Sequence, residues 1–119
     1  MKSVGIDLLE VERFIDISES EEKMSKIFTK NELNYFNKYN EKLTHIAGHF
    51  CAKEAVAKAL KTGFGKFLSP IDVEIAHKED GSPFVNVKNI KLSRLLSGRQ
   101  IEISISHTKS FATAICIIE

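Results

Sequence analysis

The sequence predicts an α+β fold, a small antiparallel sheet packed against a long central helix. Three observations carry that expectation. Apolar residues recur at three- and four-residue intervals over a long stretch, the second half of the chain alternates apolar and polar with a period of two, and turn residues separate the alternating runs.

The elements follow in order. Ser3 to Leu8 is short, β-branched and apolar, which predicts a strand with Asp7 at its end. Glu10 to Ile15 suits a helix better than a strand. Thr29-Lys30-Asn31-Glu32 has the pattern of a capping box, so a helix is expected from Lys30 towards Tyr39. Leu43, Ile46, Ala47, Phe50, Ala57 and Leu60 mark the central helix, about Leu43 to Lys61, with Gly63 as its left-handed cap. Ile71, Val73 and Ile75 alternate with Asp72, Glu74 and Ala76, and Asp80-Gly81-Ser82-Pro83 then turns the chain into Phe84 to Val87, a hairpin. Asn89 to Ser97 reads as a short amphipathic helix, and Ile101 to Ser106 with Phe111 to Ile118 as a second hairpin.

With 119 residues the chain is expected to form a single domain, residues 1–119, whose chemistry comes from one core or from association between copies. A hydrophobic share of 43% suits a globular protein. The net charge of +1, with no dense basic stripe, argues against nucleic acid as a partner. Cys51 and Cys116 stand far apart without metal-type spacing and read as reduced core thiols. Asp7 interrupts the N-terminus before a signal-type apolar run can form, and no stretch nears the ~18 apolar residues of a membrane span, so a cytoplasmic protein is expected.

Four polar positions invite a chemical reading. Glu54 falls within the apolar stripe of the central helix, where a carboxylate needs a cation. That cation is either Lys58, one turn on, as an ordinary i,i+4 pair, or a metal, leaving Lys58 for a phosphate. Asp7 is either a turn or capping residue or a second ligand; two carboxylates with a lysine nearby suit Mg²⁺. His107, after an alternating strand, is a turn histidine or a ligand contact. Thr62-Gly63-Phe64-Gly65-Lys66 matches no phosphate-loop signature and either ends the helix or offers amides to a phosphate.

Taken together these residues resemble the holo-acyl-carrier-protein synthase family. Gly5-Ile6-Asp7-Leu8 with Arg13 is similar to its N-terminal motif, and Phe50-Cys51-Ala52-Lys53-Glu54-Ala55-Val56-Ala57-Lys58-Ala59-Leu60 to its central helix motif. Gly81-Ser82-Pro83 and Ile103-Ser104-Ile105-Ser106-His107-Thr108 resemble later elements, so the likeness covers nearly the whole chain. It implies a 4'-phosphopantetheinyl transferase-like fold and a Mg²⁺-dependent transfer from coenzyme A to a serine of apo-acyl carrier protein, for fatty acid biosynthesis. The serine attacks the β-phosphorus and 3',5'-ADP leaves. Asp7 and Glu54 are implied as metal ligands, with Lys58 as the third catalytic residue and a pyrophosphate contact. His107, Gly63 and Pro83 are implied beside coenzyme A, and Arg13 against the carrier. Glu54 and a metal-bound water stay equal candidates for the base. The resemblance also implies a homotrimer with sites between subunits, which fits a chain too short to enclose coenzyme A alone.

Two departures accompany the likeness. His49 stands where members often carry Arg in a Gly-Arg-Phe run, the place of one cationic contact to the cofactor. Glu10, Glu12, Asp16, Glu19, Glu21 and Glu22 surround Arg13, whereas an acidic carrier helix prefers a basic dock; either Lys23 and Lys26 compensate or the partner differs. Two rival readings remain, another enzyme acting on a Mg²⁺-bound nucleotide and a non-catalytic binding protein in which Glu54 and Lys58 are a structural pair.

Overall fold

The computed structural model describes residues 2–119. Strand β1 (Ser3–Glu10) leads into a 3-10 turn (Val11–Phe14) and a single helical turn, α1 (Ile15–Ser18). Helices α2 (Glu21–Ile27) and α3 (Lys30–Phe36) follow, and then α4 (Lys42–Ala59), the long central helix. A 3-10 turn (Pro70–Asp72) opens the hairpin β2 (Val73–His77) and β3 (Pro83–Val87). Helix α5 (Ile90–Leu95), β4 (Ile101–His107) and β5 (Phe111–Ile118) complete the chain.

β1, β5 and β4 form one antiparallel sheet in that order, while β2 and β3 make a separate two-stranded sheet. β5 carries the central position because it alternates cleanly. Ala112, Ala114, Cys116 and Ile118 are buried against α4, and Phe111 and Ile115 face outward. Helix α4 is enclosed on most sides, its buried positions including Ile46, Ala47, Cys51, Ala52, Ala55, Val56 and Ala59. Small residues dominate that set, so strand and helix backbones approach closely. The approach is tightest at Gly5, where an added Cβ would collide with the Ala55 carbonyl and lie 2.6 Å from the Ala59 nitrogen. Cys51 and Cys116 are free and buried, as expected of core thiols.

Local chemistry places the helix ends. Thr29 accepts from the Glu32 amide and Glu32 reaches back to the Thr29 amide, so the capping box is formed. α3 stops at Phe36 rather than Tyr39 because Lys38 and Tyr39 tighten to i,i+3 bonds on Tyr35 and Phe36. α4 ends at Ala59, and Lys61, not Gly63, is the first left-handed residue, at φ 64°; the amides of Thr62 and Gly63 then both reach the Ala57 carbonyl.

Three expectations need correction. Asp7 lies inside β1, opposite Ala114, because β5 offers partners through Glu10↔Phe111 and the ladder continues past the acidic residue. Ile71 belongs to the 3-10 turn and not to β2. The alternation of apolar and polar residues along this strand does not carry over to burial, since Glu74 is 2% exposed, held there by Thr29 and Asn86, which donate to its carboxylate at 2.5 and 3.1 Å. The single N-terminal helix region also resolves into separate turns, and α2, for which the periodicity gave no signal, is capped by Ser20 accepting from the Lys23 amide.

Candidate active site where β1 crosses α4

On β1 the odd-numbered residues face α4, which aims Asp7 at the helix, beside Cys51 and Glu54. The missing side chain at Gly5 lets this crossing close. Lys58 Nζ donates to Asp7 Oδ1 at 2.9 Å and to the Ile6 carbonyl at 2.9 Å, from a side chain that is half-exposed where Asp7 is only 16% exposed. Lys58 therefore pairs across the crossing and not along its helix. The i,i+4 pair with Glu54 is not made, which removes the main support for a purely structural role of Glu54 and Lys58.

Glu54 is half-buried beside this pair, and among the described residues it makes no hydrogen bond or ion pair. Burial raises its carboxyl above the usual range, the neighbouring Asp7 charge raises it further, and the cations of Lys58 and Arg13 pull only partly back. Arg13, assigned from sequence to a partner surface, thus also contributes its field to this site. An oxygen-ligating cation relieves both the burial cost and the carboxylate repulsion. No group of three or more His, Cys, Asp and Glu gathers among the described residues, so the protein's share of such a site is two hard carboxylates. That donor set fits Mg²⁺, which keeps waters and takes substrate phosphate oxygens, and does not fit a closed zinc site.

The remaining candidates sit apart from the carboxylates. Gly63 lies in the loop after α4, in a left-handed conformation with its amide on the Ala57 carbonyl. Pro83 opens β3 opposite His77. His107 ends β4, exposed, its ring 5.9 Å from that of His45. His49 is 3% exposed. Burial pushes it down to about 3 despite its bond to the His45 carbonyl, so it is a neutral ring near pH 7 and does not supply the fixed charge of an arginine.

Sequence reasoning missed Lys53, the neighbour of Glu54 on α4. Its ammonium is completely buried against Glu32 at 2.7 Å and donates to the Pro70 and Val73 carbonyls. The signal was present in the capping box, since Glu32 is buried with it, but nothing in the spacing linked residues 32 and 53.

Comparison with known proteins assigns the chain to a family. The family model described as the 4'-phosphopantetheinyl transferase superfamily matches residues 3–116. A holo-[acyl-carrier-protein] synthase of Listeria monocytogenes is 41% identical, over all of this chain and 98% of its own. One from a Thermoanaerobacter species is 43% identical over 96% of this chain and 84% of its own. Among solved structures, the Bacillus anthracis holo-(acyl-carrier-protein) synthase in complex with CoA (3',5'-ADP) superposes with a TM-score of 0.84, at 32% identity over 98% of this chain and 95% of that one. The Helicobacter pylori synthase in complex with coenzyme A gives 0.82, at 30% identity over 98% and 99%. The chain belongs to the holo-acyl-carrier-protein synthases of the 4'-phosphopantetheinyl transferase superfamily and is a phosphopantetheinyl transferase.

Proposed function

We propose that residues 1–119 form one domain that transfers the 4'-phosphopantetheine group of coenzyme A to a serine of apo-acyl carrier protein and releases 3',5'-ADP. The observation that carries this reading is the half-buried Glu54, without a partner among the described residues, beside a pair between Lys58 of its own helix and Asp7 of β1. The coenzyme A-bound relatives named above support the choice of donor.

Asp7 and Glu54 are the residues that would hold Mg²⁺, which when bound offsets negative charge on the pyrophosphate oxygens. Lys58 is half-exposed and reaches past Asp7, so its ammonium can turn to the pyrophosphate and stabilise charge on the leaving 3',5'-ADP. The carrier serine gives its proton to Glu54 or to a water hydrogen-bonded to it as the serine oxygen attacks the β-phosphorus. His107, Gly63 and Pro83 line the path of coenzyme A, and exposed Arg13 meets the carrier.

The outer face of the β1-β5-β4 sheet carries Val4, Ile6 and Leu8 at 60 to 67% exposure, with Ile115 alongside. Such a face supports association of copies, read here as a homotrimer with sites between subunits. Light scattering that finds an active monomer overturns the trimer. No helix among the described residues is long and apolar enough to cross a membrane, and two buried free thiols suit the cytoplasm, where fatty acid biosynthesis uses the product.

The test is incubation with coenzyme A, Mg²⁺ and apo-acyl carrier protein, followed by intact-mass measurement of the carrier. One added phosphopantetheine group with matching 3',5'-ADP release is expected. An unmodified carrier with release of a different nucleotide selects the rival enzyme reading.

A further inference from the structure

All four histidines and both tyrosines of the chain meet in one string of rings. His107 adjoins His45 at 5.9 Å, His45 stacks on Tyr39 at 3.7 Å, and Tyr39 lies 5.2 Å from Tyr35. Tyr35 stacks on His77 at 4.1 Å and 6°, and His77 lies 5.0 Å from His49. The string ties α3 and α4 to the β2–β3 hairpin.

Its inner end has an unusual hydrogen count. His49 Nδ1 lies 2.6 Å from the His45 carbonyl oxygen and His77 Nδ1 lies 3.2 Å from the Gly81 carbonyl oxygen. A carbonyl only accepts, so both Nδ1 atoms carry hydrogen. A neutral imidazole has one N–H, so two neutral rings would point bare Nε2 lone pairs at each other, yet these atoms are 2.7 Å apart. All three contacts close only when the pair holds one proton more than two neutral rings.

The surroundings do not fix that proton with a carboxylate. On α4, His45 and Lys53 face His49, and on β2 so does His77. On α3, Glu32 is committed to Lys53, and just past its end Lys38 sits over the Tyr35 ring. On β2, Glu74 is committed to Thr29, Asn86 and Lys88, and just past the strand Lys78 lines the same 550 Å³ cleft as His77. In the turn, Asp80 is committed to Ser82. Glu41 and the exposed His107 act on His45 rather than on the pair. Burial, which pushes His49 well down, bars a second proton.

We propose that His49 and His77 form a one-proton latch between α4 and the β2–β3 hairpin, closed while the pair holds its proton and released as rising pH removes it. Release breaks either the contact between the two rings or the His77–Gly81 contact that braces the turn leading to Pro83. His77 is thereby a positioning residue for that turn, and affinity for coenzyme A falls as the latch opens. The last consequence rests on the proposed role of Pro83; the latch does not.

The test is imidazole ¹⁵N NMR on the ligand-free protein between about pH 5 and 9, the span in which histidine titrates. Exchange of the Lys78 and Gly81 amides, which bond Ser82 and Lys78 across the turn, is followed in parallel. Three N–H groups on the pair at the acid end, shed in one step that speeds both amides at least tenfold beyond intrinsic base catalysis, are expected. In His49→Phe, which removes the acceptor and keeps a ring, proton loss should no longer speed the two amides. Two N–H groups on the pair at every pH, or the same acceleration of both amides in His49→Phe, overturns the latch. Calorimetric titration with coenzyme A separates the readings: binding that weakens through the same step supports the coupling to Pro83, and binding unchanged through it overturns that coupling. No binding at any pH overturns the proposed function while the proton count stands.

Discussion

Lys53 and Glu54 are neighbours on one helix and live in opposite electrostatic worlds. Lys53 is sealed from water, yet Glu32 and two carbonyls satisfy it completely. Glu54 is only half-buried, yet no partner answers its charge among the described residues. A buried charge with fixed partners braces a fold, because its geometry leaves nothing to be gained by binding. A less buried charge without partners is a vacancy for a ligand. Degree of burial is therefore a poorer guide to function than completeness of pairing.

The contrast breaks most visibly at the sealed end. Lys53→Met should cost about 3–5 kcal/mol in a urea melt, since it leaves Glu32 charged and buried without its cation. Adding Glu32→Gln should recover part of that loss, because the amide oxygen still accepts from one of the Thr29 and Ile75 amides. No difference between the single and double variants would mean that the buried charge is not the cause.

At the open end the signature reverses. Glu54→Gln should lower turnover at least about 100-fold, equivalent to about 2.7 kcal/mol of barrier, while stability holds or rises. A variant with near-native rates across a Mg²⁺ titration removes Glu54 from the site. A smaller effect tests the frame around Lys53: Thr29→Ala removes the helix cap and the hydroxyl donor to Glu74, for a loss of about 1–2 kcal/mol in the same melt.

The smallest effect is a difference in pH response. The folded value of Glu54 lies above 4.5, so the folded chain keeps a proton that the unfolded chain has released, and this group costs stability as pH rises through that window. The gain in melting temperature of Glu54→Gln should thus be present near neutral pH and close as pH falls below 4.5. Glu74 behaves oppositely. Burial pushes its carboxyl up, but hydrogen bonds from Thr29 and Asn86 and the charge of Lys88 outweigh this and hold it low, so its stabilisation fades on acidification below 4.5. A gap that widens in acid contradicts the assignment at Glu54.

Much of this architecture was legible from local signals. The capping box at Thr29, the long helix and both hairpins are set by residues within a few positions of one another, and sequence shows such patterns directly. Asp7, Glu54 and Lys58 were legible as candidate chemistry, and the family motifs pointed to the same three residues. The pairing of Lys58 with Asp7 was not, because it depends on how closely β1 sits on α4, a distance set by Gly5 and the alanines of the helix. The same holds for Lys53 with Glu32 and for His49 with His77, partners 21 and 28 residues apart that meet only through tertiary packing.

The sheet order carries a consequence for how this chain comes into being. Within the sheet, among the described residues, β1 pairs with β5 alone, so the strand that presents Asp7 finds its strand partner across a separation of 106 residues, as in the Thr113 hydroxyl bond to the Asp7 carbonyl. During synthesis the first strand must wait, unpaired and apolar, until the final strand has emerged from the ribosome. Long-range closure of this kind slows folding, while the helices, built from local contacts, form early. The carboxylates of Asp7 and Glu54 are thus brought together late in folding, and a nascent chain stalled before Phe111 has its central helix and its Glu54 but lacks the strand that holds Asp7 in register.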